Sequence, residues 1–375
     1  MHNAAKPLIV AKETNMKKVT QKEKKVDFSG RACWVGVDVH KQSYSVALLS
    51  EEGLRKEFTI TANPQKLLAK LVALGVVVKG LAQESGPTGY CLAWACQQAC
   101  IPVVVAAPSR IPRPIAASGK TDCLDSMKLA EFLAKGMLKS IAIPDREESW
   151  LKSLERRRQQ LVERKREVRQ HIKAFLLLHS LEEPAGLSHW SQKSLTLLHE
   201  LPLPGFLRET LDSYLAEHTF LLGELSRLCK QIEAVIQARG MADVVKCLRS
   251  IPGVGETIAH TFVSEIFRPE RFERAEEICA YVGLAPVISH SGKGKATARL
   301  GQVGQNYLRS ILVESAWRLI ATDAVYREFY DRIRNKTGLA QKAIVAVTRK
   351  LLVLIWRIAI ERRPYKPASA YRSHT

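Results

Sequence analysis

The sequence lacks the long apolar segments of membrane and secreted proteins. No uninterrupted apolar run reaches the roughly 18 residues that a membrane-spanning helix needs. The best candidates, 71–78 and 351–360, are short; Lys79 ends the first and Arg357 interrupts the second. The N-terminal stretch 1–31 is Lys-rich but has no apolar core of the kind found in secretory signals. We therefore expect a cytoplasmic protein with no membrane contact.

Paired cysteines are also missing. The eight cysteines include no CxxC pair, and most of them lie in apolar patterns typical of helices or strands. A disulfide or zinc framework would use short, regular spacings. We expect buried free thiols in a reducing compartment.

Acidic residues are scarce relative to basic ones. Lys and Arg number 57 and Asp and Glu 37, so the 375-residue chain carries a formal charge of +20. The 46% share of hydrophobic residues is ordinary for a globular protein with a large core. A surface this basic attracts polyanions, and nucleic acid is the leading candidate.

Shifts in composition divide the chain into five segments. We predict a flexible basic arm, an α/β domain, a pair of long helices that forms a coiled-coil arm, a mainly helical domain, and a polar, loose tail. These segments are 1–31, 32–145, 146–240, 241–363 and 364–375, and within the third we expect 183–204, rich in Pro, Gly and Ser, to connect the two long helices.

The second segment reads as strand, strand, strand, helix, strand, helix, strand and helix. Its apolar runs begin at Cys33 and continue through Ser43–Ser50 and on to Glu84. This order predicts an α/β domain with a mixed sheet, in an arrangement like that of RNase H.

Four acids of this domain stand out by their placement. Asp38 and Glu84 each end an apolar strand, and Asp122 and Asp125 are spaced to share one face of a helix. Four acids at one sheet edge repel one another unless cations join them. Two Mg²⁺ ions would remove that repulsion and create a two-metal site for phosphoryl transfer.

Each acid also has a simpler explanation. Asp38 could cap a turn, Glu84 could pair with Lys41, and Asp122 could begin a helix. Taken singly these explanations are favoured, whereas the four acids taken together favour the metal site.

The third segment holds the densest basic cluster of the chain. We predict that its side chains bind nucleic acid, with a solvated coiled-coil face as the alternative. The cluster comprises Arg156, Arg157, Arg158, Arg164, Lys165, Arg166, Arg169 and Lys173.

The fourth segment contains the pattern Ser-Ile-Pro-Gly-Val-Gly-Glu at 250–256, between two predicted helices. This pattern is typical of a helix-hairpin-helix, in which Gly253 and Gly255 let the backbone approach a phosphate. The alternative is a structural turn between packed helices.

A loop rich in Gly, Ser and Lys follows at 283–299. It carries Ser291 beside Lys293, Lys295 and Arg299, a combination that could bring a hydroxyl to a phosphodiester and stabilise its charge. Composition alone favours a solvated linker here.

Five motifs together resemble the DEDD transposases of bacterial insertion sequences, the Piv-invertase-like family of bridge-RNA-guided serine recombinases. The resemblance runs from about Trp34 to about Arg362. The motifs are GVDVHK (36–41), QESGPTGY (83–90), KTDCLDSMKLAEFL (120–133), SIPGVGE (250–256) and YVGLAP with SHSGKGK (281–295). The arm before Cys33 is longer than is usual in the family, and His290 stands where we expected no fixed residue.

The resemblance implies a RuvC-like N-terminal domain, a coiled-coil arm and a C-terminal transposase domain. The family's four acids fall on Asp38, Glu84, Asp122 and Asp125, where they would hold Mg²⁺. Its nucleophilic serine falls on Ser291, with Ser289 two residues away. Together they imply strand cleavage and rejoining through a covalent phosphoserine.

Partners are implied as well. The resemblance suggests donor and target DNA, a structured guide RNA, and a homo-oligomer that is at least a dimer and becomes a tetramer when two duplexes are joined. It places the protein near the bacterial nucleoid. A hydrolytic RuvC-like nuclease or Holliday-junction resolvase, and a non-catalytic nucleic-acid-binding protein, are the alternatives.

Overall fold

A computed structural model describes residues 27–112, 122–289, 297–300 and 304–367, with the side chains of 122–124, 287–289 and 297–299 left aside. The chain separates into two compact units, the first ending at Ile143 and the second beginning at Pro144.

The first unit is built on a mixed five-stranded sheet. Strands β1 and β2, β2 and β3 pair antiparallel, whereas β4 runs parallel to both β1 and β5, giving the order β3-β2-β1-β4-β5. This sheet confirms the predicted α/β domain and is consistent with an RNase H-like fold. The strands are β1 (Ala32–Val39), β2 (Ser43–Ser50), β3 (Arg55–Thr61), β4 (Val77–Glu84) and β5 (Val103–Ala106).

Helices cover both faces of the sheet. On one face, α1 (Pro64–Ala73) and α2 (Cys91–Gln98) pack on the apolar side chains of alternate strand residues such as Val35 and Val37. The Asn63 side chain caps α1, and Pro64 at its first position fits the helix start. On the other face lies α3 (Asp122–Ala134), above small residues of β1, β2 and β4.

Two long helices open the second unit. Helix α4 (Arg146–Leu178) begins with a capping box between Asp145 and Glu148. Helix α6 (Gly205–Ala238) packs along it in the opposite direction, since residues near 164 meet 217 and residues near 145 meet 239. Leucines and isoleucines at helical spacing fill the seam between them.

The segment between these helices is more ordered than we predicted. We expected a simple connection over 183–204, but a short helix, α5 (Gln192–Glu200), forms there and is capped by Ser191. Its Leu198 is buried in the core that α4 and α6 share.

The remainder of the second unit is mainly helical, as predicted. Its core surrounds the last helix, whose Leu351 and Ile355 are fully buried. The helices are α7 (Ala242–Arg249), α8 (Glu256–Ile266), α9 (Ala275–Val282), α10 (Asn306–Thr322), α11 (Ala324–Thr337) and α12 (Ala340–Glu361), with a two-stranded ladder of β6 (Pro286–Ser289) and β7 (Thr297–Leu300) between α9 and α10.

Two expectations about composition can be compared with the described residues. Among them, no helix is long and apolar enough to cross a membrane. The seven cysteines whose side chains are described are free thiols. Cys91 and Cys100 are exposed, which corrects the expectation that all thiols are buried.

Candidate active site and nucleic-acid interface

Asp38 and Glu84 lie side by side at one edge of the sheet. Strands β1 and β4 are parallel neighbours in which Val37 pairs with Gln83, so the next residue of each strand is an acid. Paired residues of parallel strands project to the same face, and the carboxyl ends of such strands share an edge. The sheet therefore brings these two predicted site residues together.

Helix α3 lies directly on the face to which they project. Gly36, two residues before Asp38 and on the same face, touches the helix backbone: a Cβ at this position would stand 1.9 Å from the Ser126 carbonyl oxygen and 2.6 Å from the Ala130 nitrogen. Only glycine permits this approach. Because Asp125 adjoins Ser126, the contact places it near the end of β1.

A histidine and a lysine accompany two of these acids. The His40 Nε2 atom is 3.2 Å from an Asp38 oxygen, and the Lys128 ammonium donates to Asp125 at 3.1 Å. Asp125 is about one-third exposed, its side chain showing 36% of its surface. Glu84 ends β4 on an exposed position. The Lys128 ammonium balances part of the negative charge of these acids.

The residues present suit a hard divalent cation in their chemistry. Carboxylate oxygens are the ligands that Mg²⁺ prefers; Asp38 and Glu84 share one face of the sheet, and α3, which carries Asp125, lies over that face. Asp122 begins α3, three residues before Asp125 and so on the same side of the helix, but its side chain is outside the described set. Within that set, no three His, Cys, Asp or Glu side chains form a group arranged to hold a metal.

The predicted hairpin motif forms a tight turn between α7 and α8. Gly253 has a φ of +86°, and a Cβ there would stand 2.8 Å from the Ser315 carbonyl oxygen and 2.9 Å from the Arg318 Cβ. Packing against α10 therefore accounts for this glycine, in line with the alternative of a structural turn between packed helices. Gly255 differs, because it begins α8 and faces open space. Its side of the turn is accessible to a ligand.

Arg158 of the predicted basic cluster lies inside the protein. Only 6% of it is exposed; its guanidinium binds both oxygens of the buried Glu155 and donates to the Tyr307 hydroxyl. Thr261 of α8 donates to the same carboxylate. This placement argues against Arg158 as a nucleic-acid contact, because the side chain is committed to joining α4 with α8 and α10.

The other arginines of the cluster reach the surface. Arg156 contacts the buried Glu265, and Arg164 pairs with Glu217 of α6. Arg157 is exposed, and its guanidinium donates to the side chain of Gln160. The Arg164–Glu217 pair lies at the surface and contributes little to stability, so Arg164 can exchange its partner for a phosphate.

Lys165 and Arg169 of the basic cluster lie near Trp190 and His218, two residues that the sequence analysis did not single out. Burial and the neighbouring Arg169 lower the pKa of Lys165. Arg169 stacks over the Trp190 ring and donates to the fully buried His218. Burial and the two cations together lower the pKa of His218 to about 4. This histidine is neutral at physiological pH and acts as an acceptor in the arm core.

Strand β6 and most of β7 form within the segment 283–299 that we predicted to be a loop. The two strands pair antiparallel, with Val287 opposite Arg299. Ser291, Lys293 and Lys295 lie outside the described residues, as does His290, and the Arg299 side chain is not described. The site residues assigned to this loop remain predictions.

Comparison with known sequences bears on these sites. Residues 35–180 match the family model DEDD_Tnp_IS110, described as "Transposase", which spans the sheet acids and α3. Residues 245–331 match the "Transposase IS116/IS110/IS902 family", which spans the hairpin and the serine loop. The chain belongs with the IS110/IS116-family DEDD transposases.

Relatives extend this assignment over nearly the full length. The transposase is 29% identical over 367 residues to "Putative transposase y4qE" of Sinorhizobium fredii, covering 89% of this chain and 90% of that one. It is 24% identical over 296 residues to "Transposase for insertion sequence element IS1533" of Leptospira borgpetersenii, covering 77% and 85%. A shorter match, 31% over 121 residues, joins it to the "Pilin gene-inverting protein" of Moraxella bovis, covering 32% and 37%.

The family assignment implies an enzyme of DNA transposition that binds DNA. A DEDD domain further implies dependence on a divalent metal ion.

Proposed function

We propose that this transposase cuts and rejoins DNA through a covalent phosphoserine formed by Ser291. The observation that supports the proposal is the adjacency of Asp38 and Glu84 at one sheet edge, under the helix that carries Asp125, inside a region that matches a DEDD transposase domain. Asp122 completes the proposed set of four acids.

These acids would hold two Mg²⁺ ions, which would polarise the scissile phosphate and neutralise its charge. The chain's own residues do the rest. The Ser291 Oγ–P bond forms as the bond from phosphorus to one deoxyribose oxygen breaks, and rejoining reverses this exchange. Lys293, Lys295 and Arg299 stabilise the phosphate charge.

The acids and the serine belong to different units of the chain, the acids before Ile143 and the serine after Pro144. In our proposal different subunits supply them, so the working form is a dimer, and a tetramer when two duplexes are joined. A structured RNA reads donor and target by base pairing. The protein then needs only backbone contacts, from the α4–α6 coiled-coil arm and the hairpin around Gly255.

The decisive test is the covalent adduct. Wild-type protein mixed with plasmid DNA that carries the ends of its element should leave a protein–DNA adduct that survives SDS. Ser291→Ala should abolish the adduct and the cleavage while DNA binding persists, and Ser289→Ala, two residues away, serves as the matched control. Cleavage without any adduct would instead identify a hydrolytic nuclease, because water leaves no covalent link.

The metal site has a separate test. Asp38→Asn and Asp125→Asn should each lose metal-dependent cleavage and weaken Mg²⁺ binding measured by calorimetry. Glu57→Gln, a carboxylate change on β3 in the same unit, should leave both intact. Full cleavage in EDTA would contradict the site.

Subunit sharing and the guide can be tested by mixing. Asp38→Asn protein and Ser291→Ala protein are each expected to be inactive, and a mixture should regain activity if the acids and serine act across subunits. RNA that copurifies with the protein and is required for cleavage would support the guide. Undiminished, site-specific activity after ribonuclease treatment would refute it.

A further inference from the structure

The C-terminal segment after α12 is fastened to the body of the second unit. The helix ends at Arg362, whose φ of +52° turns the chain back. The backbone N–H of Tyr365 then donates to the Ser250 hydroxyl at 2.7 Å, and the Tyr365 hydroxyl donates to Asp323. We expected a loose tail from residue 364 onward; over 364–367 that expectation is wrong.

Asp323 makes this anchor a strong one. Its carboxylate is buried and also caps α11 by accepting from the Val325 and Tyr326 backbones. Burial and this carboxylate raise the pKa of the Tyr365 phenol, which therefore remains a hydrogen-bond donor at all physiological pH values.

The anchor brings basic residues of distant sequence together. Ser250 follows directly on α7, which carries Lys246 and Arg249 in its last turn. The hydrogen bond joins Tyr365 to Ser250, and Lys366 and Arg362 lie one and three residues from Tyr365. Since consecutive Cα atoms are about 3.8 Å apart, these two residues lie near Lys246 and Arg249. All four cations are exposed, and none forms an ion pair with another described residue.

Three acidic residues lie near these four cations: Asp243 in the first turn of α7, Glu233 and Glu256. Arg363 pairs with Glu361 and leaves no net charge there. A cleft of about 500 Å³ adjoins α7, and Glu233 and Glu256 line it together with Lys246 and Arg249. The four unpaired cations therefore leave the surface positive.

We propose that Lys246, Arg249, Arg362 and Lys366 form a binding surface for the backbone of duplex DNA, and that docking of Tyr365 completes it. We name these four residues the C-terminal cationic surface. The proposal rests on the proposed function in that a DNA duplex is the substrate. It adds a contact to the hairpin, on the Ser250 side of the α7–α8 turn.

The chemistry of the surface favours a duplex over a single strand. Single-stranded nucleic acid is held mainly by aromatic rings on which bases stack. The aromatic residue here, Tyr365, is half-buried with its hydroxyl committed to Asp323. What remains on the surface is ammonium and guanidinium groups, which contact phosphates without reading bases.

The test is a salt titration of DNA binding by the full-length protein. Fluorescence anisotropy with a labelled random-sequence duplex gives the slope of log Kd against log salt. Each phosphate contact contributes about 0.9 to that slope, which corresponds to about eightfold in affinity at about 0.1 M salt. Lys366→Ala and Arg249→Ala should each show this loss. Lys193→Ala, an exposed lysine of α5, is the matched control and should show none.

The role of docking is tested by a double variant. Tyr365→Ala should weaken binding by releasing the segment, and adding Lys366→Ala to it should then cost less than about twofold rather than about eightfold. Lys366 contributes no packing, so its single variant remains informative even if Tyr365→Ala lowers the melting temperature.

Several outcomes would overturn the inference. If Lys366→Ala and Arg249→Ala give the same slope of log Kd against log salt as Lys193→Ala, the proposed DNA-binding surface is wrong. The proposed function would be unaffected. Additive losses in the double variant would remove the role of docking. Tighter binding of an RNA duplex of the same sequence, with the same variants affected, would reassign the partner. Failure of the wild type to bind any duplex would remove the proposed function as well.

Discussion

Replacement of Gly36 by alanine is the most severe single-methyl change that the first unit offers. The new Cβ would stand 1.9 Å from the Ser126 carbonyl oxygen, whereas an ordinary contact needs about 3.4 Å. Strand and helix must therefore separate by roughly 1.5 Å, and no rotamer change can relieve the overlap because both partners are backbone atoms. Overpacking costs about 1–3 kcal/mol in most cores, and we expect about 3 kcal/mol or more here.

The same displacement should affect the metal site, because α3 carries Asp125 while β1 carries Asp38. Gly80→Ala is the matched control: it lies on β4 beneath the same helix, but its Cβ would meet the Leu133 Cδ2 atom at 3.5 Å and the Pro102 oxygen at 3.6 Å, both ordinary contacts. Urea denaturation followed by circular dichroism measures stability, and calorimetry measures Mg²⁺ binding. Equal stability and equal metal affinity for the two variants would refute this account of how α3 is seated.

Three further predictions concern the second unit. Because burial holds the pKa of His218 near 4 against about 6.5 when unfolded, its contribution is complete above pH 6.5 and is lost as the pH falls toward 4; urea denaturation should show about 2 kcal/mol less stability at pH 5 than at pH 7.5, and His218→Gln should flatten that difference. Glu155→Gln leaves the Arg158 charge buried without its carboxylate and should cost about 3–5 kcal/mol, seen as a lowered melting temperature; an unchanged value would contradict the buried pair. Gly253→Ala should destabilise by about 1–3 kcal/mol through its positive φ and its contact with α10, whereas Gly255→Ala, which meets open space, should keep the stability and, if the turn binds phosphate, weaken DNA binding.

The sheet and its acids were predictable because the signals are local. Apolar alternation set the strands, and an acid at the end of an apolar run marks a strand terminus. Asp38 and Glu84 accordingly lie where the pattern placed them. The closeness of α3 to β1 was not predictable, since nothing in the order of residues says which element Gly36 will meet.

The basic cluster shows where local reasoning fails. Arg158 differs from Arg156 and Arg157 in its helical register, seven residues after the buried Leu151 and three before the buried Leu161, and reasoning from composition overlooks that register. The fate of Arg158 depends on Tyr307 and on Thr261, which binds the partner carboxylate, and both lie more than 100 residues away. Long-range packing of this kind decides the role of a charge, and the sequence pattern does not contain it.

The hairpin glycines make the same point at smaller scale. The pattern assigned Gly253 and Gly255 one role, the close approach of a phosphate. The fold divides them, since the first glycine meets α10 and the second does not. Helix α5 was missed for a different reason: the Pro, Gly and Ser residues around it outweighed the capping Ser191 and the spaced leucines that indicate a helix.

The partly buried hydrogen bond between Arg158 and Tyr307 fixes α4 to α10. The helix continues 20 residues beyond Arg158 to Leu178, about 30 Å at 1.5 Å per residue. Tyr307 stands at the start of α10, shortly after the strand that closes the serine loop. A macromolecule bound near Leu178 would therefore transmit force along a stiff helix to the Arg158–Tyr307 contact. That contact adjoins the segment leading out of the serine loop.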